Sequence, residues 1–264
     1  MDPINLGSIL IMKLNYKTFG QGDPIIILHG LFGSLDNWQS FAKSLAKDFM
    51  VYILDQRDHG KSPHTKEFDY ILLAEDLHRF MEKNWIFSAH IVGHSMGGKT
   101  AMQFAALYPE MLEKLIVLDI TPKKYKAHHD TLFQALLSLN LTTLTSRKEA
   151  EKSLAVKIKD HSVRTFLLKN LKRNKDGSFK WKLNLPLLYK NYDKISMEID
   201  YLETVDVPTL FVKGSNSNYI LEEDKEPIRS IFSNARFKTI EGAGHWLHAD
   251  KPQELKNILV DFIT

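Results

Sequence analysis

The sequence predicts an α/β fold, a mostly parallel central sheet with helices on both faces. Short β-rich runs alternate with longer helical patterns. The run IIILH at 25–29 is apolar without alternation, as a strand covered on both faces must be. The alternation stops near Pro122 and resumes in the same style after Asp200.

Each element follows from local pattern. Met12 opens a strand, MKLNYKTFG, and IIILH is the second. SLDNWQSFAKSLAKDF spaces Leu35, Trp38, Phe41 and Leu45 as a helix does, with Ser34 as its N-cap. MVYILD (50–55) is a strand, YILLAEDLHRFMEKN (70–84) a helix and AHIVG (89–93) a strand. A helix starting near Ser95 runs to Tyr108, where Pro109 stops it, and KLIVLD (114–119) follows as a strand. After the interruption come the strand PTLFVKG (208–214), a polar helix near 222–232, the strand RFKTI (236–240) and the helix PQELKNILVDFI.

The middle segment reads as lysine-rich helical pieces with a turn at Asp176–Gly177. We read it as an insertion into one α/β domain. Core sequence occupies 1–121 and 201–264, and the insertion 122–200. Leu132, Phe133, Leu136, Leu137, Phe166, Leu167, Leu188 and Tyr189 have helical spacing and are expected to pack the insertion onto the core. Lys123, Lys124 and Lys126 read as a solvated face.

Composition narrows the function. The 35 basic and 32 acidic residues leave a formal charge of +3, too balanced for a nucleic-acid binder. With no cysteine, disulfides, thiolate catalysis and zinc–thiolate sites are excluded. No apolar run approaches the roughly 18 residues of a membrane span, so no membrane insertion is expected. No basic residue precedes the short apolar patch at the N-terminus, so the expected location is cytoplasmic. Whether residues 1–11 are native stays open.

GHSMG, at 93–97, has the form G-x-S-x-G, with a strand before it and a helix after it. A serine on so tight a turn has strained backbone angles, and side chains two positions away would collide with it. Its hydroxyl is a poor nucleophile without a base. His245, in EGAGHWLH just past the last strand, lies on a loop that converges on the same crevice. His248 is its rival, further toward the helix. An oxyanion needs two donors. Met96 supplies one backbone N–H as the residue after the nucleophile, and Leu31 supplies the other after the strand end His29–Gly30.

The acid has several candidates. The loop after 208–214 reads GSNSNYILEED, with Ser215, Asn216 and Ser217 where an aspartate is looked for first. Glu222, Glu223 and Asp224 are more simply helix N-terminal charges. Asp119 ends KLIVLD and reaches the same histidine from a central strand. Asp55 precedes Ser95 and is better explained as fixing the DQRDHGKS turn through Asp–Arg and Asp–backbone contacts.

Together HGLFGSLDNW, DQRDHGKS, GHSMGGK, VLDITP, GSNSNYI and GHWLHADKP resemble the α/β-hydrolase superfamily, most closely the YbfF-type small carboxylesterases. The resemblance implies an α/β-hydrolase fold with a helical lid after the sixth strand, a Ser–His–Asp triad, no cofactor and no metal. It implies hydrolysis of acyl esters of short to medium chain, with acyl-CoA thioesters as the alternative. It puts the acid at Asp119, and Phe32, Tyr219 and Trp246 as substrate-binding residues at the pocket mouth. The expected partners are a small acyl ester and water, with the oligomeric state open. DQRDHGKS departs from the pattern, since relatives more often have asparagine where Asp58 stands. Two rivals remain: another hydrolase on the same triad, or a slow-turnover ligand-binding protein on the same fold.

Overall fold

A computed structural model describes residues 12–264. The reading of residues 1–11 lies outside the described residues. The first half of the core runs β1 (Asn15–Phe19), β2 (Pro24–Leu28), α1 (Gln39–Leu45), β3 (Met50–Asp55), α2 (Tyr70–Lys83), β4 (Ala89–His94), α3 (Met96–Leu107) and β5 (Leu112–Leu118). The insertion holds α4 (Asp130–Leu137), α5 (Arg147–Lys157), α6 (His161–Leu168), β6 (Leu171–Arg173), β7 (Phe179–Trp181), α7 (Leu185–Lys190) and α8 (Tyr192–Ser196). The core resumes with β8 (Thr209–Gly214), α9 (Lys225–Ile231), β9 (Ala235–Ile240), α10 (Leu247–Asp250) and α11 (Pro252–Ile263).

Seven strands form one sheet in the order β1-β3-β2-β4-β5-β8-β9. Only the edge pair β1–β3 is antiparallel. Ile26 and Leu28 pack on one face with Leu77 and Phe80 of α2 and Phe104 of α3. Ile25 and Ile27 pack on the other with Phe41 of α1 and Leu255 of α11. Two covered faces are why this strand is apolar at every position. The N-cap of α2 is Asp69, whose carboxylate accepts from Leu72 N at 2.8 Å.

In chain order the insertion follows the fifth described strand. The five runs visible in the sequence are the five strands found; the count of six came from the resemblance. Asp176 and Gly177 do form a turn, with Gly177 at φ 90°, but it joins the hairpin β6–β7 where helical pieces were expected. Phe133, Leu136, Leu167 and Leu188 are buried in a third cluster that also holds Phe32, Tyr70 and Met96 of the core, whereas Leu137 is exposed. The insertion thus shares its core with the sheet's loops and has none of its own.

Its two ends lie side by side. Ile199 N donates to Pro122 O at 2.9 Å and Tyr125 N to Ser196 O at 2.8 Å. Between them, the carbonyls of Lys123 and Met197 both accept from the buried ammonium of Lys99 on α3. Burial lowers Lys99 to about 7. Lys123 is not a solvated lysine: its ammonium pairs with Asp224 at 2.6 Å, while Lys124 and Lys126 are exposed.

DQRDHGKS forms a turn held by the expected Asp–backbone contacts, but not by an Asp–Arg contact within it, since Arg57 turns away to α2. The Asp55 carboxylate accepts from the backbone N–H groups of Leu35 and Lys61, both at 2.8 Å. Asp58 at φ 65° ties the turn to the insertion, accepting from Asn184 Nδ2 at 2.8 Å. Arg57 pairs bidentately with Asp76 on α2 at 2.6 and 2.9 Å. Both are nearly inaccessible, at 6% and 2% exposure. Asp76→Ala leaves that guanidinium buried and unpaired, and is expected to cost about 3–5 kcal/mol in urea unfolding.

Candidate active site

Ser95 sits between β4 and α3 at φ 53°, ψ −119°. A side chain on Gly93 would place its Cβ 2.3 Å from Gly97 O, and one on Gly97 would place it 2.4 Å from Leu28 O. The glycines therefore let the helix start pack against its own strand and the neighbouring one. Ser95 N donates to Leu118 O at 3.0 Å, which ties the turn to β5.

One residue past that carbonyl is Asp119, also in the left-handed region at φ 52° and fully buried. Its Oδ2 accepts from His245 Nδ1 at 2.7 Å and from the hydroxyl of Ser217. Its Oδ1 accepts from Gly214 N at 3.3 Å. Ser217 belongs to the loop where an aspartate was looked for first; it reaches the same carboxylate as a donor. Asp224 is instead paired with Lys123, and Asp55 is committed to its turn. Among the acid candidates, Asp119 is the one joined to His245.

The His245 ring is stacked on Tyr219, with centroids 4.1 Å apart and planes at 19°. Its backbone carbonyl accepts from His94 Nε2 at 2.8 Å. A carbonyl only accepts, so His94 carries its proton on Nε2, and burial keeps it neutral by pushing its pKa well down. The rival His248 stacks on Trp38 at 4.0 Å, and burial lowers it to about 3. His94 is the unspecified residue of G-x-S-x-G, and no spacing in the sequence assigned it a contact.

Two cavities open at Ser95. The larger is an open cleft of about 570 Å³, its mouth included, lined by Phe32, Leu132, Phe166, His245 and Trp246 among others. The smaller, about 370 Å³, is lined by Met96, Lys99, Tyr125, Tyr192 and Tyr219 among others. Phe32 and Trp246 thus fall in one cavity and Tyr219 in the other. Ser95 and His245 share the larger cavity, and no hydrogen bond joins their side chains in this structure. The backbone N–H groups of Leu31 and Met96 have no acceptor among the described residues. His29 holds the Leu31 turn: its Nδ1 donates to Gly30 O at 2.9 Å and its Nε2 accepts from Gln56 N at 3.0 Å. Among the described residues no group of three or more histidine or acidic side chains is placed to hold a metal ion.

The alpha/beta hydrolase fold family model matches residues 23–252. The chain belongs to that family. This hydrolase is 39% identical over 241 residues to a "Putative esterase/lipase" of Haemophilus influenzae, covering 91% of this chain and 83% of the relative. It is 37% identical to an "sn-1-specific diacylglycerol lipase ABHD11" of Danio rerio, covering 96% and 83%. Against "Esterase YbfF" of Escherichia coli it is 36% identical, covering 91% and 95%. A solved "Marine microorganism esterase" superposes with a TM-score of 0.93 at 44% identity, covering 95% and 99%. The hydrolase is accordingly a carboxylesterase-type enzyme with a hydrolase-fold esterase architecture. No helix among the described residues is long and apolar enough to cross a membrane.

The elbow of this hydrolase leaves no room for a side chain at its glycines. Gly97→Ala forces its Cβ against Leu28 O, and overpacking of this kind costs about 1–3 kcal/mol. The expected outcome is a lower thermal midpoint, by roughly 2–4 °C per kcal/mol.

Proposed function

We propose that this enzyme hydrolyses small carboxylic esters through an acyl-enzyme on Ser95. The observation that carries the reading is the 2.7 Å hydrogen bond from His245 Nδ1 to a fully buried Asp119 carboxylate, with Ser95 and His245 lining one cavity. A carboxylate at Nδ1 fixes the tautomer that leaves Nε2 free to accept a proton. The relatives' names, esterase and lipase, point to the same bond type.

Ser95 Oγ attacks the acyl carbon while His245 Nε2 takes the hydroxyl proton. The carbonyl electrons move onto oxygen, where the N–H groups of Leu31 and Met96 stabilise them. Each donor contributes about 3 kcal/mol to the transition state. Collapse expels the alcohol, protonated by His245, and leaves an ester on Ser95. Water then attacks with His245 as base, releasing the acid and restoring the hydroxyl. Asp119 stays ionised, and Ser217 supports it by donating to the oxygen that His245 also uses.

Segment 122–200 acts as the lid, since Leu132 and Phe166 close the larger cavity from the insertion side. Phe32, Tyr219 and Trp246 complete the walls, and the acyl chains we propose are of short to medium length. The partners are the ester and water.

With 4-nitrophenyl butyrate as substrate, Ser95→Ala is expected to lower kcat by about 10⁶. Asp119→Asn is expected to lower it by about 10⁴. Asp224→Asn, which disturbs the pair with Lys123 and the contact from Leu221 N, is expected to stay within several-fold. Near wild-type turnover in Ser95→Ala would end the reading. The reverse order of the two aspartate variants would move the acid to the loop after β8.

A further inference from the structure

Leu31, Ser95 and His129 are the side chains that line both cavities. His245 lines only the larger one. The base that takes the Ser95 proton returns it to the leaving alcohol, so the alcohol occupies the larger cavity and the acyl group the smaller. The atom joining acyl to alcohol therefore lies at the border between them. Leu31 faces that border from the core, on the oxyanion side, and His129 faces it from the insertion.

The hydrogen bonds of His129 settle where its proton is. Tyr192 Oη accepts from the backbone N–H groups of His128 at 3.1 Å and His129 at 2.9 Å, which uses both lone pairs. Its own hydroxyl proton then goes to His129 Nδ1, at 2.7 Å. With Nδ1 accepting, a neutral imidazole carries its proton on Nε2. Burial first, and the neighbouring His128 and His245 second, lower this ring to about 3, so it stays neutral. His129 Nε2 has no hydrogen-bond partner among the described residues, nor is it among the sealed-off polar atoms that lack one. It is therefore accessible, on a side chain that lines both cavities.

We propose that His129 Nε2–H donates to the bridging oxygen of the substrate, so that the enzyme selects oxygen esters over thioesters. The proposal rests on the acyl-enzyme reading above. Negative charge grows on the bridging oxygen as the alcohol leaves, and a fixed donor there strengthens with it. Sulfur accepts hydrogen bonds weakly, so a thioester forfeits the contact. His129 keeps its proton throughout, and the proton on the released alcohol is the one His245 took from Ser95.

The test compares phenyl butyrate with S-phenyl thiobutyrate in the wild type, His129→Phe, His129→Gln and Tyr192→Phe. His129→Phe is expected to lower kcat/KM for the oxygen ester about five- to tenfold more than for the thioester, the worth of one neutral hydrogen bond. His129→Gln keeps an N–H donor and is expected to restore part of the ratio. Tyr192→Phe frees the tautomer and is expected to shift the ratio the same way by less, which keeps the test decisive if His129→Phe does not fold. Equal losses on both substrates, or an unchanged ratio in Tyr192→Phe, would overturn the proposal. Failure of the acyl-enzyme reading shows separately, as turnover of both substrates surviving in Ser95→Ala, and it takes this proposal with it.

Discussion

The fully buried carboxylate of Asp119 is the charge around which the chain closes. It accepts from Gly214 at the end of β8, from Ser217 in the loop beyond, and from His245 after β9. An ionised carboxylate removed from water is tolerable only with such partners. Three donors from beyond the insertion converge on a residue before it, so the site and the second half of the sheet form together. The backbone agrees, since Asp119 N donates to Val212 O at 2.8 Å across the same junction.

The hydrogen-bonded couple of Asp119 and His245 is set among neutral rings. Burial lowers His29 to about 4 and His129 and His248 to about 3, and holds His94 well down. Each ring is fixed by a contact, such as His94 to the His245 carbonyl or His248 against Trp38. A cluster of charged imidazoles would oppose the imidazolium that the proposed mechanism puts at His245. Neutral ones orient it through hydrogen bonds and stacking alone.

The frame of the fold was legible because period and composition act locally. IIILH could only be a doubly covered strand, and Pro109 could only stop a helix. Ser95 and His245 were legible because strand–helix alternation sends both loops to one crevice, and Asp119 because it is a carboxylate at a strand end. Other features depend on partners far away in sequence. Lys123 read as solvated, yet it pairs with Asp224 across 101 residues. Ser217 was noticed only as an aspartate that was not there. The strands LKR and FKW of the hairpin are three residues each, too short and too rich in basic residues to show alternation. The bonds between Tyr192 and His129 join two parts of the insertion 63 residues apart, and no periodicity connects them.

The paired ends of segment 122–200 bear on how such enzymes diversify. Pro122 and Ile199 are already hydrogen-bonded partners, so the sheet meets this segment as a closed loop of fixed width. The closure entropy of a loop grows only slowly with its length. Length added beyond that neck therefore costs the sheet little closure entropy, provided the two carbonyls over Lys99 and the packing on Phe32, Tyr70 and Met96 remain. The molecule is in this sense a socket and a plug. The sheet that holds Ser95, Asp119 and His245 is closed at the neck, and the segment beyond it can vary in length.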